Sequence, residues 1–278
     1  MLEYRGKTAV VTGAGSGIGS GIAIALARAG ANVAVADIEA DAAEETARQV
    51  RSFGASAMSM RTDVSSYADV RQLQAAVQDR FGDVHVLCNN AGVSVKRRGI
   101  HASHADWEWL VGVNLWGVIH GMEAFIPAML NSGAPCHIVN TASMNGLFPS
   151  ARSAMYSATK YGVIGLTETY RNELAGTPVH LSVLCPAAVR SRIDESERNR
   201  PANLRAQPGG PEFVPSASYA LSAPRTAEEI GLLLLDAIRD ERFYIFTDAS
   251  VRPYIEERHA QLLSDLDAVR RWDARQHD

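Results

Sequence analysis

Short apolar runs alternate with longer amphipathic stretches along the whole chain. The runs at residues 8–12 and 32–37 are rich in valine and alanine, which is typical of buried strands. Further strands are predicted at 56–61, 84–88, 137–141, 180–184 and 244–247. Helices are predicted between them, at 40–53, 67–81, 105–131, 153–175 and 226–240. This alternation predicts an α/β fold, in which a doubly wound parallel sheet carries helices on both faces and binds ligands at the carboxyl ends of its strands.

A glycine-rich turn follows the first predicted strand and leads directly into a helical stretch. Its sequence is Gly13-Ala14-Gly15-Ser16-Gly17-Ile18-Gly19. Unpaired backbone N–H groups and the positive end of a helix make such a turn suited to a pyrophosphate. The strict GxGxxG spacing is absent, so the turn alone is equally compatible with a simple connector.

The second predicted strand ends in an acidic residue, Asp37, at about the distance from the glycines expected for a carboxylate that binds a ribose. A plain turn residue at a strand end is the alternative. The combination of strand, glycine turn, helix and strand-end acid favours a dinucleotide site.

Tyr156 and Lys160 are four residues apart on a predicted helix, so their side chains share a face. A fixed ammonium beside a phenol is expected to lower the phenol's pKa from its usual value of about 10. Tyr156 would then serve as a general acid and base, and the hydroxyl of Ser143 could hold a carbonyl or alcohol oxygen. An exposed helix face is the alternative for an isolated match of this kind.

Taken together, these motifs are similar to those of the short-chain dehydrogenase/reductase family. The residues that carry the resemblance are Thr12 with the glycine turn, Asp63-Val64, Asn89-Asn90-Ala91-Gly92, Asn114, Ser143, Tyr156 with Lys160, and Pro186. They stand in the family's order and spacing over residues from about 7 to 250. The resemblance implies a Rossmann-like single domain with NAD as cofactor and Asn114, Ser143, Tyr156 and Lys160 as catalytic residues.

The resemblance also implies roles for residues around the cofactor. Asp63 and Val64 would line the adenine, Asn90 would fix the central strand, and Lys160 would hold the nicotinamide ribose. Asn114 would anchor a water in a proton relay. The cofactor-binding set implied in this way is Gly13, Ser16, Gly17, Ile18, Gly19, Asp37, Asp63, Val64, Asn90, Tyr156, Lys160, Val189 and Ser191.

One segment departs from the family pattern. Where the family has glycine after the proline, this chain has Pro186-Ala187-Ala188-Val189-Arg190-Ser191. Alanine reaches positive φ less easily than glycine, which puts the local turn in doubt. Ser191 keeps a hydroxyl, so Val189 and Ser191 are still expected to hold the nicotinamide carboxamide.

Residues 1–250 are predicted to form the dinucleotide-binding catalytic domain, and residues 251–278 a helical extension of the same domain. The irregular stretch 190–224 holds five of the eleven prolines and is predicted to be a lid over the substrate. Apolar side chains predicted to cover or line the substrate site are those of Met144, Leu147, Phe148, Phe213, Val214, Tyr219 and Leu221.

Net charge, apolar runs and cysteine spacing limit the kinds of partner and the location that the sequence predicts. The net charge of −4 gives no reason to expect nucleic acid or an anionic membrane, and no apolar run is expected to reach membrane-spanning length. Cys88, Cys136 and Cys185 lack metal or disulfide spacing, and His101, His104, Trp107 and Trp109 are interpreted as surface or site rim, so no metal is expected. These features predict a cytoplasmic protein.

The sequence thus predicts an NAD-dependent dehydrogenase that interconverts a bulky, aromatic or alicyclic secondary alcohol and its ketone, similar to bacterial family members with such substrates. A dinucleotide-binding regulator without turnover and an NADP-dependent ketone reductase are the alternatives. Small and apolar residues on the helices from 105 and 153 predict a homodimer or homotetramer.

Overall fold

Seven parallel strands form one sheet at the centre of the protein. The computed structural model describes residues 3–149, 154–205 and 222–276. The strands are β1 (Thr8–Thr12), β2 (Asn32–Asp37), β3 (Ala57–Arg61), β4 (Val86–Asn89), β5 (Cys136–Thr141), β6 (Val179–Cys185) and β7 (Tyr244–Phe246). Their order across the sheet is β3-β2-β1-β4-β5-β6-β7. The predicted single-domain, doubly wound Rossmann fold is confirmed, and the strand order reverses between β1 and β4, where such folds bind ligands.

Helices cover both faces of the sheet. They are α1 (Gly17–Arg28), α2 (Ala40–Ser52), α3 (Tyr67–Phe81), α4 (His104–Val111), α5 (Gly117–Ser132), α6 (Ala154–Glu173), α7 (Ala227–Arg239) and α8 (Arg252–Gln276). One hydrophobic cluster joins α1, α2 and α7 to the sheet, and a second joins α3, α5 and α6 to its other face. Along β1, Ala9 and Val11 belong to the first cluster and Val10 to the second, as the two-residue period of a strand requires.

The helix predicted at 105–131 begins at His104 and is interrupted. Residues Gly112–Trp116 form one π-helical turn between α4 and α5. By length and composition the stretch His104–Ser132 could cross a membrane, since an 18-residue window within it has a mean hydropathy of 1.2, so the expectation that no run reaches this length was wrong. More than half of its apolar window, 56%, is buried inside the fold, where Met122 and Phe125 pack in the core.

The segment after β6 contains two short 3-10 helices, Ile193–Asn199 and Ala202–Leu204. Four apolar residues predicted to belong to a lid, Phe213, Val214, Tyr219 and Leu221, lie outside the described residues. The C-terminal extension is the long helix α8.

Candidate active site

A cavity of about 650 Å³ opens at the carboxyl ends of the central strands. It is lined by every predicted catalytic and cofactor-binding residue except Gly19 and Asn114. The lining residues from that prediction are Gly13, Ser16, Gly17, Ile18, Asp37, Asp63, Val64, Asn90, Ser143, Tyr156, Lys160, Val189 and Ser191. Residues from seven separate segments of the chain therefore meet in one place.

The glycine turn requires its glycines. Gly13 and Gly17 have φ values of 62° and 55°, in the left-handed region that side chains rarely adopt. Gly19 lies behind the turn, where an added Cβ would stand 2.2 Å from the carbonyl oxygen of Gly13. The helix α1 begins at Gly17, so its unpaired N–H groups face the cavity.

Asp37 is fixed against this turn at the end of β2. Its Oδ2 accepts a hydrogen bond of 2.8 Å from the backbone N–H of Gly15, and its Oδ1 accepts one of 2.9 Å from the N–H of Glu39. Two backbone donors thus hold the carboxylate in one orientation at the cavity wall. The arrangement places a fixed negative charge beside the glycine turn.

Asn90 ties the turn to the end of β4. Its Nδ2 donates to the carbonyl oxygens of Thr12 and Gly13, at 3.1 and 3.3 Å. These contacts link the glycine turn to the end of β4, and the role of Asn90 in fixing the central strand stays a prediction.

Asp63 and Val64 line the cavity at the end of β3. The Oδ1 of Asp63 accepts from the backbone N–H and the hydroxyl of Ser65. Helix α3 is capped instead by Ser66, whose hydroxyl accepts from the N–H of Asp69, so Asp63 is not the helix cap.

Ser143, Tyr156 and Lys160 lie together on the other side of the cavity. The phenol of Tyr156 is hydrogen-bonded to the hydroxyl of Ser143. The Nζ of Lys160 lies over the Tyr156 ring, 5.5 Å from its centre, and donates a hydrogen bond of 2.8 Å to the carbonyl oxygen of Thr141. Lys160 is only 2% exposed, so this ammonium is held in a dry environment.

Burial has the largest effect on the pKa values of Tyr156 and Lys160. It raises the pKa of Tyr156 to about 12, although the hydrogen bond from Ser143 acts in the opposite direction. Burial also lowers the pKa of Lys160 to about 8. The expected lowering of the Tyr156 pKa by Lys160 is therefore not observed, because the ammonium lies over the ring and bonds to a carbonyl. Tyr156 is therefore protonated at neutral pH in this state.

Asn114 lies in the π-helical turn, behind the cavity. Its Oδ1 accepts from the N–H of Val93 at 2.8 Å, and its Nδ2 donates to Val93 O at 3.0 Å and to the hydroxyl of Thr159 at 3.3 Å. A Cβ added to Gly92 would lie 3.5 Å from Asn114 Oδ1 and 3.6 Å from Lys160 Nζ, so both groups border the same glycine. Its part in a proton relay stays a prediction.

The segment that departs from the family pattern keeps ordinary backbone. Among the described non-glycine residues only Glu241 has a positive φ, so Ala187 needs no left-handed conformation. The N–H of Ala187 donates to the hydroxyl of Thr247 at 2.9 Å, and Val189 forms a parallel bridge with Arg225. The missing glycine therefore does not disturb the turn that presents Val189 to the cavity.

The apolar wall of the cavity differs from the expectation. Met144, Leu147 and Phe148 do not line it. Leu147 packs against the core, and the buried Phe148 stacks on Tyr254 at 5.4 Å between ring centres. Residues just after Ser143 were predicted as pocket lining because of their sequence position alone.

Trp109, Val93 and Leu204 form the wall instead. Trp109 was interpreted as surface or rim, but it is 3% exposed and belongs to a cluster that contacts Tyr156. The buried Arg200 lies over the indole, and its Nη2 is 2.6 Å from Oδ1 of Asp106, which is also buried. Sequence reasoning missed this ion pair.

A second ion pair lies at the cavity just after the end of β2. Both carboxylate oxygens of Glu39 accept hydrogen bonds from the guanidinium of Arg198. Arg192 lies 3.9 Å from Glu39, and both arginines line the cavity. These arginines lower the pKa of the Glu39 carboxyl, and the hydrogen bond from Arg198 has the largest effect. In the part of the chain that the structure describes, no group of three or more His, Cys, Asp or Glu side chains is arranged to hold a metal.

Comparison with known proteins agrees with this geometry. The short chain dehydrogenase family model matches residues 7–202. A 1-deoxy-11-beta-hydroxypentalenate dehydrogenase of Streptomyces avermitilis is 32% identical, covering 95% of this chain and 93% of its own. A C alpha-dehydrogenase of Sphingobium sp. is also 32% identical, and the alignment covers 95% of this chain and 88% of the relative.

Among solved structures, a short chain dehydrogenase/reductase from Burkholderia phymatum in complex with NAD superposes with a TM-score of 0.88. It is 38% identical in sequence, and the superposition covers 95% of this chain and 97% of that chain. This protein is an oxidoreductase that belongs to the short-chain dehydrogenase family.

Proposed function

We propose that this enzyme uses NAD to oxidise a bulky aryl or alicyclic secondary alcohol to the ketone, and catalyses the reverse reduction. The observation that carries the proposal is one cavity in which three features meet. These are the glycine turn with its fixed Asp37, the hydrogen-bonded pair of Ser143 and Tyr156, and the apolar wall around Trp109.

The residues present fit a dinucleotide. Neither glycine of the turn has room for a side chain, since a Cβ on Gly13 would lie 2.6 Å from the Cα of Ala91 and one on Gly17 would lie 2.9 Å from the Cβ of Ser191. The bare backbone of the turn would allow a pyrophosphate to approach closely. Asp37 would accept hydrogen bonds from ribose hydroxyls and would repel a 2′-phosphate. NAD, when bound, supplies the hydride acceptor.

The proton is handled by the chain's own residues. Ser143 donates a hydrogen bond to the substrate oxygen, and Tyr156 exchanges a proton with that oxygen. Lys160 lies over the ring of Tyr156, and alcohol oxidation requires the Tyr156 phenolate. The protonated Tyr156 of this state is the form that ketone reduction uses.

Apolar surface supports a ring-bearing substrate. Trp109, Val93 and Leu204 offer an aromatic face and two aliphatic groups, whereas a small polar hydroxy acid would leave them in contact with water. The names of two relatives, a hydroxypentalenate dehydrogenase and a C alpha-dehydrogenase, support the same substrate class.

A panel of secondary alcohols assayed by NADH absorbance tests the proposal. Aryl and alicyclic alcohols are expected to give a kcat/KM well above that of small aliphatic alcohols. Activity confined to sugars or small polar alcohols would contradict the substrate class, and cofactor binding without turnover on any alcohol or ketone would favour a regulator instead.

Two further parts of the proposal concern the whole molecule. The exposed small residues Ala154, Ala158 and Gly165 on α6, with the half-exposed Trp116 before α5, support pairing of two subunits through these helices. The three cysteines are free and buried, which supports a location in the reducing cytoplasm.

A further inference from the structure

The helix α8 leaves the body of the protein after a short anchored stretch. Tyr254 stacks on Phe148, and the guanidinium of Arg258 lies 5.5 Å from the centre of the Tyr161 ring. From residue 259 to residue 276 every side chain is exposed. About 18 residues, or roughly 27 Å of helix at 1.5 Å per residue, thus extend away from the fold.

This extended part carries an apolar stripe. Leu262, Leu266 and Val269 are spaced by four and three residues, so they share one face, and Leu263 and Trp272 flank it. Their exposed fractions are between 49% and 62%. An isolated helix of this length is marginal in water, and its stability normally comes from packing of the apolar face. The stripe therefore indicates a partner.

The charged residues around the stripe are complementary to those of a second copy of α8 that runs in the opposite direction. When two copies run antiparallel with Leu262 opposite Val269, Arg258 of one copy lies opposite Asp273 of the other. All four residues lie on the stripe face, within about 60° of each other at 100° per residue. A parallel pair would instead place Arg258 against Arg258 and Asp273 against Asp273, which is unfavourable.

We propose that α8 pairs antiparallel with α8 of a second copy of this chain. The pair has a two-fold axis between positions 265 and 266, so each contact forms twice. The proposal does not depend on the substrate or the direction of the reaction.

Single cysteines test the pairing and its direction. Leu266→Cys places a thiol near the two-fold axis and is expected to form a disulfide-linked dimer under mild oxidation. The matched control Ser264→Cys lies on the opposite face and is expected to stay unlinked. Gln276→Cys lies on the stripe face but about 30 Å from its own copy in the antiparallel pair. The three native cysteines are buried and do not compete.

Linkage through Gln276→Cys would show parallel pairing and would overturn the proposal, as would failure of Leu266→Cys to link more than Ser264→Cys.

Charge reversal tests the register without removing apolar surface. Arg258→Asp or Asp273→Arg alone is expected to halve the mass of the assembly measured by light scattering at micromolar concentration. The double variant is expected to restore the mass, because it re-forms the pair with reversed signs. Unchanged mass in both single variants, or a double variant no better than either, would contradict the register.

Discussion

The guanidinium of Arg200 lies 5.0 Å from the centre of the Trp109 ring. Arg200 belongs to the segment after β6, and Trp109 belongs to α4. The contact fixes the apolar wall of the cavity because the same guanidinium also pairs with the buried Asp106. This wall therefore depends on an ion pair in which both partners are almost completely buried.

Removal of Arg200 is expected to destabilise the protein. Arg200→Met would leave Asp106 buried with Arg97 as its remaining cationic partner, and breaking a buried pair costs about 3 kcal/mol or more of unfolding free energy. Arg198→Met, at a partly exposed pair, is the control and should cost under about 1 kcal/mol. Urea unfolding of both variants measures the difference. Equal losses of unfolding free energy would show that the buried Arg200 pair stabilises the protein no more than the partly exposed Arg198 pair.

Trp109 is expected to select for ring-bearing substrates. Trp109→Ala should lower kcat/KM for an aryl alcohol at least about tenfold while changing that for a small aliphatic alcohol much less. Trp109→Phe keeps a ring and should retain most of the preference. A thermal melt of each variant separates this effect from loss of folding. A uniform fall for all substrates would remove Trp109 from the specificity determinants.

Tyr156→Phe is expected to lower turnover by about 10²- to 10⁴-fold, because it removes the proton carrier and keeps the ring. NAD binding, followed by quenching of protein fluorescence, should be nearly unchanged. The wild-type rate of alcohol oxidation should rise with pH, since burial holds the pKa of Tyr156 near 12 and the reaction needs the phenolate. Near-normal turnover by the variant would disprove the mechanism.

Asp37 is expected to make NAD the preferred cofactor. Wild-type kcat/KM should be higher with NAD than with NADP, and Asp37→Ala should lower that ratio because it removes the charge that repels a 2′-phosphate. Both cofactors are compared with one substrate. An equal or higher value with NADP in the wild type would refute this role.

His137 is expected to make the fold sensitive to acid. Burial, assisted by the neighbouring His180, lowers the pKa of His137 from 6.5 to about 3. The unfolded chain therefore binds a proton below pH 6.5 that the folded protein does not, and stability falls with pH in the window from 6.5 to 3. At pH 5 the loss is about 2 kcal/mol.

His137→Gln should flatten the dependence of unfolding free energy on pH between 7 and 5. His259→Gln, at an exposed histidine on α8, is the matched control. A slope unchanged in His137→Gln would assign the acid sensitivity to other groups.

The regular elements could be predicted well from the sequence. The predicted bounds of β1, β2 and α3 agree with the structure because each has a strong period and a clear start or end, such as the Ser66 cap of α3. The π-helical turn was missed because apolar spacing continues through Gly112–Trp116, and one extra residue in a turn leaves no mark in composition.

The cofactor side of the site was predicted more fully than the substrate side. Gly13, Asp37 and Tyr156 are each marked by a local motif at a strand end or on a helix face. Arg200 has no such motif, and its partner Asp106 stands on a different element far along the chain, so tertiary packing alone brings them together.

The ion pair between Glu39, two residues after Asp37, and Arg198, in the segment after β6, joins positions 159 residues apart. Exchanging the residues after Asp37 for basic ones, as a designer would do to accept NADP, replaces Glu39 and puts a like charge against Arg198. The segment after β6 then loses its ion pair with Glu39. Under the proposed function, cofactor preference and substrate selection are therefore coupled, and a redesign of either must compensate for the other.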